Sequence, residues 1–133
     1  MRVLLICDRF FVRREHPLLE RLEIGLADEG VRLTVAVPER TELQEQLTLL
    51  SGTVTYRMNG VGWTKGLRAA WLLEGVGRVS SEKIDLVHVF GGAAWGVGVE
   101  AAGRLQVPAV LEVWRAGLAG RARAFAARHP GRV

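Results

Sequence analysis

The stretch that decides the fold is Ile84-Asp-Leu-Val-His-Val-Phe-Gly-Gly92. A short run of apolar, largely β-branched residues stops at two glycines, and an amphipathic segment follows. Such a run is typical of a buried strand, and the glycines indicate a tight turn from strand to helix. In open α/β sheets, ligands bind at the turns that follow the carboxyl ends of strands. The stretch therefore predicts an α/β fold and the place of a binding site.

The composition is that of a single globular domain. Of 133 residues, 49% are hydrophobic and 24% are charged, as in ordinary folded proteins. Val3–Ile6 is too short for a secretory leader, and no apolar run approaches the roughly 20 residues of a membrane-spanning helix. The single cysteine, Cys7, cannot form an intramolecular disulfide. We therefore predict a cytoplasmic protein.

The formal net charge is +4, and most of the positive charge is arginine. Arginine binds phosphate and carboxylate groups bidentately. The chain is also rich in Gly, Ala and Val, so the charge reflects a compositional bias and identifies no partner. Near the C-terminus, Arg121, Arg123 and Arg128 surround Leu118 and Phe125. We interpret this segment as a solvated helix face, with peripheral contact to anionic lipid at the inner face of the membrane as the alternative.

Five strand-like runs alternate with helical patterns. The predicted strands are Arg2–Cys7, Arg32–Val37, Thr53–Arg57, Asp85–Phe90 and Ala109–Val113. Helices are predicted from Pro17 to Gly30, at Glu39–Gln46, after a capping Thr64, at Ala93–Leu105 and at Leu118–Arg128. This alternation predicts a single Rossmann-like, doubly wound α/β domain with helices on both faces of the sheet. The sheet should be mostly parallel and five-stranded, in the order 3-2-1-4-5.

In that order the first and fourth strands are neighbours and the topology reverses between them. The turns Asp8–His16 and Phe90–Trp95 should then face one crevice. The first turn is long for such a connection, and we predict a loop that contacts an anion or a sugar at the positive end of a helix dipole. A solvated loop with two phenylalanines packed beneath it is the alternative. The glycines of the second turn either admit a ligand to the backbone or only form a tight turn.

Ten residues at these turns are candidate ligand contacts. They are Arg9, Phe10, Arg13, Arg14 and His16 in the first turn, Gly91, Gly92 and Trp95 in the second, and Glu112 and Arg115 after the fifth strand. Trp95 either stacks on a ligand ring or packs in the core. Glu112 either contacts a ligand or pairs with Arg115. His88 is interpreted as a core residue, and no catalytic residue is assigned.

Several common kinds of binding site are excluded because their sequence motifs are absent. A dinucleotide fingerprint needs glycines directly after the first strand, and Asp8–His16 contains none. No phosphate-binding G-x-x-x-x-G-K-[ST] sequence occurs. The histidines and the cysteine are too scattered for a zinc site, so no metal is predicted. The basic charge is not accompanied by a nucleic-acid-binding motif, so we predict no nucleic-acid partner.

Three segments together resemble a known family. The sequence from Gly25 to Pro38 is similar to the helix ending "L-A-x-x-G-H-x-V-T-V", followed by proline, in the amino-terminal domain of GT-B glycosyltransferases of the family-four type. Asp85–Phe90 is similar to that family's "D-V-V-H-x-H" strand, and Pro108–Leu111 to its "P-x-V-x-T" strand. The resemblance covers nearly the whole chain.

The resemblance implies an acceptor-side domain. The family's enzymes are retaining, and they transfer a sugar from a nucleotide-sugar donor between two Rossmann-like domains. The amino-terminal domain mostly binds the acceptor, and the carboxyl-terminal domain holds most of the donor. The implied partners of this chain are thus a nucleotide sugar, an acceptor and a donor-side domain, with no bound cofactor. Since the chain resembles only the first domain, we expect a truncated domain that does not transfer sugar alone.

The chain departs from the family's pattern at three places. Arg9–His16 stands where the family has a glycine pair, Phe90 replaces the second histidine of the strand motif, and Glu112–Trp114 replaces a threonine-histidine end. These departures leave two alternatives open. One is a non-catalytic α/β binding or assembly module, and the other is a small nucleotide-binding domain of flavodoxin-like architecture.

Overall fold

The computed structural model describes residues 1–39, 52–57, 64–113 and 115–133. The strands are β1 (Arg2–Cys7), β2 (Arg32–Pro38), β3 (Thr53–Tyr56), β4 (Leu86–Phe90) and β5 (Ala109–Glu112). The described α-helices are α1 (Arg9–Asp28), α2 (Lys65–Val79), α3 (Trp95–Leu105) and α4 (Ala119–Ala127). Short 3₁₀ turns at Gly92–Ala94 and Ala116–Leu118 precede α3 and α4. Each predicted strand is confirmed to within one residue at either end.

All five strands are parallel and lie in the order β3-β2-β1-β4-β5. This confirms the predicted doubly wound α/β architecture. A flavodoxin-like domain has the order 2-1-3-4-5, so the flavodoxin-like architecture of that alternative is wrong, while its nucleotide binding stays a prediction. The difference arises at β1, whose two neighbours are β2 and β4.

Two apolar clusters cover the two faces of the sheet, because the side chains of a strand alternate between its faces. On one face, α1 packs through Phe11, Val12 and Leu19. On the other, α2 and α3 pack through residues such as Leu72 and Trp95, and α4 adds Phe125 at the rim. Helices therefore lie on both faces, as predicted. Within the described residues, no helix has the length and apolar character needed to cross a membrane.

The first turn differs from its prediction. Helix α1 begins at Arg9, directly after β1, because the Asp8 side chain accepts a hydrogen bond from the backbone N–H of Phe11 at 2.8 Å and caps the helix. The predicted loop over Asp8–His16 is therefore wrong. Pro17 lies inside the helix, which is kinked at Glu15 (φ −124°, ψ 19°). A proline has no N–H to donate and crowds the preceding turn, and this is a usual cause of such a kink.

Two other predicted helices follow the second and third strands. Thr64 occupies the N-cap position of α2, but its side chain makes no capping hydrogen bond, so the predicted cap is wrong. Its backbone (φ −85°, ψ 3°) is not in the extended conformation from which a side chain usually caps. The helix predicted at Glu39–Gln46 lies outside the described residues, apart from Glu39 itself.

Two buried polar side chains tie the strands to their surroundings. Arg2 is 5% exposed, and its Nη2 donates to Thr34 Oγ1 at 2.9 Å. Its Nη1 donates to the carbonyl oxygens of Ser80 and Glu82, which follow α2. At the opposite edge of the sheet, the Tyr56 hydroxyl donates to the carbonyl oxygen of Cys7 at 2.7 Å. Burial raises the pKa of the Tyr56 hydroxyl, so the group remains a donor.

The ends of β1 and β4 meet at Asp8 and Gly91. The backbone N–H of Asp8 donates to the carbonyl oxygen of Phe90 at 2.9 Å. Gly91 has φ +97°, and a Cβ placed on it would lie 2.0 Å from the carboxyl carbon of Asp8. No side chain fits there. The turn after β4 therefore requires glycine at position 91 so that the capping carboxylate of Asp8 can pack against it.

Replacing Gly91 by alanine should destabilise the domain. We expect Gly91→Ala to lower the free energy of unfolding by about 2–4 kcal/mol, because it combines an unfavourable backbone conformation with displacement of a helix cap. Gly92→Ala is the matched control, since a Cβ there would lie no closer than 3.8 Å to any neighbouring atom. Urea denaturation measures both. Equal stability of the two variants would contradict the steric role of Gly91.

Candidate ligand-binding crevice

A crevice of about 570 Å³ opens at the carboxyl edge of the sheet between β1 and β4. We call it the crevice. One wall is the start of α1, the second is the turn Gly91–Ala93, and the third is the segment that follows β5. Its described lining is Asp8, Phe10, Phe11, Arg14, Glu15, Gly91, Gly92, Ala93, Arg115, Leu118 and Arg121. The turns after β1 and β4 thus face one cavity, as the strand order predicted.

The most prominent feature of the crevice is the ring of Phe10. It is 42% exposed, although it belongs to the first turn of α1. The guanidinium carbon of Arg115 lies 3.7 Å from the ring centroid, and that of Arg14 lies 5.4 Å from it. Cation–π contact holds such groups near a ring face. The arrangement places an apolar surface between two groups that bind anions.

The crevice is lined by more positively charged side chains than negatively charged ones. Arg14, Arg115 and Arg121 contribute three cations, and Asp8 and Glu15 contribute two carboxyl groups. Asp8 is 5% exposed, and its carboxylate is engaged by the N–H of Phe11. That hydrogen bond does not neutralise the carboxylate, so three cations face two carboxyl groups and the cations remain in excess by one. The crevice therefore favours an anionic ligand.

Five of the ten predicted contact residues meet in the crevice. These are Phe10, Arg14, Gly91, Gly92 and Arg115. Since α1 begins at Arg9, consecutive residues of the first turn point in different directions around the helix. That rotation separates the predicted residues into two groups.

The other predicted residues of the first turn do not line the crevice. Arg9 Nη2 donates to the carbonyl oxygen of Glu39 at 3.2 Å, at the end of β2. Arg13 is exposed and lies outside the described lining. The side chain of His16 lies outside the described part of the structure.

Trp95 and Glu112 are also placed away from the crevice lining. Trp95 is 3% exposed and packs in the core, with its ring centroid 5.8 Å from that of Phe125. The alternative that Trp95 is a core residue is thus the one observed. Glu112 Oε1 lies 3.5 Å from His88 Nε2, whereas Arg115 lies over Phe10. The alternative that Glu112 pairs with Arg115 is therefore not the arrangement observed.

His88 lies on the α1 side of the sheet, and its side chain is 24% exposed. Burial lowers the pKa of His88 below its ordinary value, and the neighbouring Glu112 carboxylate opposes that shift. Phe90 is 3% exposed, with its ring centroid 4.5 Å from those of Phe11 and His88. Although Phe90 precedes the turn, it is part of the core beneath α1. Neither residue lines the crevice.

Sequence reasoning missed the contribution of the C-terminal segment. Leu118 and Arg121 line the crevice because the chain turns back over the sheet edge after β5. A helix starting near Leu118 was predicted, but its packing direction depends on Phe125 contacting Trp95. No motif marks that contact. Within the described residues, no group of three or more His, Cys, Asp or Glu could hold a metal ion.

Comparisons with models of protein families, with curated proteins and with solved structures find no match for this chain.

The environment of His88 makes stability depend on pH. Because its pKa is lowered in the folded state, the unfolded chain takes up the proton first as the pH falls below the ordinary value of about 6.5. The contribution of His88 to the free energy of unfolding is fully present above that pH and decreases below it. We expect His88→Gln to reduce the loss of unfolding free energy between about pH 7 and pH 5, measured by urea denaturation. An unchanged pH slope in the variant would contradict this assignment.

Proposed function

We propose that this chain is the acceptor-side domain of a retaining GT-B glycosyltransferase, which transfers a sugar from a nucleotide-sugar donor. In this proposal the crevice holds the acceptor, and a donor-side domain binds the nucleotide. The family resemblance of Gly25–Pro38 and Asp85–Phe90 motivates the proposal. The parallel sheet of order 3-2-1-4-5 is consistent with it.

The observation that carries the proposal is the Phe10 ring between Arg14 and Arg115. The part of the ring that Arg115 leaves exposed offers an apolar surface to the carbon–hydrogen face of a small molecule. The two guanidinium groups offer donors to phosphate or carboxylate oxygens. An acceptor with both features, such as a phosphorylated or acidic alcohol, matches the crevice. Its volume of about 570 Å³ lies within the usual range for small-molecule sites.

In this proposal the chain binds and orients the acceptor rather than supplying a catalytic group. Of the two carboxyl groups at the crevice, that of Asp8 caps α1. The groups that stabilise the departing nucleotide diphosphate would come from the donor-side domain. The described residues would thus contribute proximity and orientation.

Arg14 and Arg13 provide a matched pair for testing the proposal. Both are on α1, but only Arg14 lines the crevice. Sugar transfer is measured with the full-length gene product and a panel of nucleotide sugars and acidic acceptors. We expect Arg14→Gln to raise the acceptor KM by about tenfold, since a charge-assisted hydrogen bond contributes about 1.5–3 kcal/mol. Arg13→Gln should leave the acceptor KM unchanged.

Two outcomes contradict the proposal. A full-length product that is folded but inert with every nucleotide sugar would exclude the enzymatic function. An active enzyme with equal acceptor KM in the Arg13→Gln and Arg14→Gln variants would place the acceptor elsewhere. Removing the ring in Phe10→Ala gives an independent test of the apolar wall, with weaker acceptor binding expected.

A second candidate function is a non-catalytic binding or assembly module. The observation that favours it is the exposure of Val110 and Val113, at 43% and 38%, on and after the edge strand β5. Exposed apolar residues on a strand edge are typical of contact sites. Analytical ultracentrifugation should then show association that Val110→Asp weakens. A monomer at high concentration, with no partner recovered in pull-downs, would exclude this function.

A further inference from the structure

We propose a second ligand site, which binds a phosphate or diphosphate group in a separate cavity beside the crevice. The turn Gly92–Ala93 lines both cavities and therefore stands between them. The second cavity has a volume of about 320 Å³. We call it the basic cavity, and it is defined by Lys65, Arg68, Trp95, Arg121, Phe125 and Arg128.

The charge of the basic cavity is of one sign. Four cations line it, and no acidic side chain is among its described lining residues. Among the described residues, no carboxylate forms an ion pair with Lys65, Arg121 or Arg128. Arg68 is only 8% exposed. The other three cations, Lys65, Arg121 and Arg128, are exposed at the rim of the cavity. Like charges gathered at one place attract an anion.

Two helices begin at this cavity, and both lack a capping group. The first turns of α2 and α3 contain no acidic residue, and neither Thr64 nor Ala94 makes a side-chain capping hydrogen bond. The N-terminus of a helix carries a partial positive charge. An anion between the two helix starts would be stabilised by both of these charges.

Lys65 makes this arrangement more unfavourable without a ligand. It is the first residue of α2, and its side chain lies across the start of α3. A Cβ placed on Gly96 would lie 3.1 Å from Lys65 Cδ and Cε and 3.3 Å from Nζ. The absence of a side chain at Gly96 thus allows an ammonium group to approach the N-terminal turn of a helix. Cations are disfavoured at that end of a helix.

The indole of Trp95 provides an independent indication of a ligand. Trp95 lines the basic cavity and is 3% exposed. Its Nε1–H is buried and has no hydrogen-bond partner among the described residues. A buried indole N–H usually has an acceptor. An oxygen of a bound phosphate would supply one.

These groups together select phosphate chemistry. The side chains of Lys65, Arg121 and Arg128 and the indole N–H of Trp95 are donors, and the two helix N-termini add partial positive charge. Phosphate offers acceptor oxygens and negative charge. The volume is at the small end of known ligand sites, which suits a phosphate or diphosphate group. This site does not depend on the proposed function, because its residues bind the anion whatever the crevice holds.

The test follows the indole N–H resonance of Trp95 in ¹⁵N-labelled chain. The chain has four tryptophans, and the Trp95→Phe variant identifies the resonance. Sodium pyrophosphate is titrated at constant ionic strength, and sodium sulfate serves as the control anion. We expect a saturable shift of the Trp95 resonance with pyrophosphate, and at least about tenfold weaker binding of sulfate.

Variants separate this cavity from the crevice and from general charge. Lys65→Gln and Arg128→Gln should each weaken pyrophosphate binding by about tenfold. Arg123→Gln is the matched control, because Arg123 is exposed on α4, which Arg128 directly follows, but lies outside the cavity lining. Arg14 lines the crevice and not the basic cavity, so Arg14→Gln should leave the affinity reported by the Trp95 resonance unchanged. If Lys65→Gln does not fold, the exposed Arg128 still tests the site.

The absence of a saturable shift at Trp95 would overturn the proposal. Equal weakening by Arg123→Gln and Arg128→Gln would overturn it as well, because binding would then follow net charge alone. A loss of pyrophosphate binding in Arg14→Gln would assign the anion to the crevice instead. A nucleoside diphosphate that binds as tightly as pyrophosphate supports recognition of the diphosphate alone, and tighter binding supports a nucleotide.

Discussion

The structure depends on one contact at the carboxyl edge of the sheet, between the Asp8 carboxylate and Gly91. The backbone of Asp8 joins the ends of β1 and β4, and its side chain caps α1. Both are possible only because Gly91 leaves the space that the carboxylate occupies. The start of α1 and the turn before α3 are thereby held against each other. The two crevice walls formed by α1 and by the turn Gly91–Ala93 are positioned by that contact, whereas the wall after β5 depends on the packing of Phe125 against Trp95.

The same edge explains why the cations collect where they do. In a parallel α/β domain, helices begin at the carboxyl ends of the strands, so their positive ends point to one edge. In this chain arginines line both cavities at that edge, and Arg121 is shared by them. The turn Gly92–Ala93 lies between the crevice, which contains the Phe10 ring, and the basic cavity, whose described charged lining residues are all cations. One short turn thus borders two cavities with different linings.

The strands could be predicted because their signal is local. Runs such as Val3–Cys7 and Val87–Phe90 are almost wholly buried on both sides, and continuous apolar sequences of that length are typical of parallel strands. The start of α1 was predicted eight residues late, because proline is favoured at the first position of a helix and Pro17 therefore indicated the start. The competing signal is Asp8, a residue type that caps helices. Its side chain accepts a hydrogen bond from the backbone N–H of Phe11, three residues later. Phe11 and Val12 belong to α1, and only their packing against the sheet decides between the two possible helix starts.

The sequence by itself determined the α/β class, the strand order and the edge at which the crevice opens. The class follows from short-range patterning, and the order and the edge follow from the connection rules for alternating strands and helices. The tertiary structure alone decided which side chains share a cavity. Phe10 and Arg115 lie far apart in sequence, yet the guanidinium of Arg115 covers the ring. Trp95 lines the basic cavity rather than the crevice, and Glu112 lies beside His88. Such partnerships depend on helix rotation and strand register, which are set by the packing of the whole core.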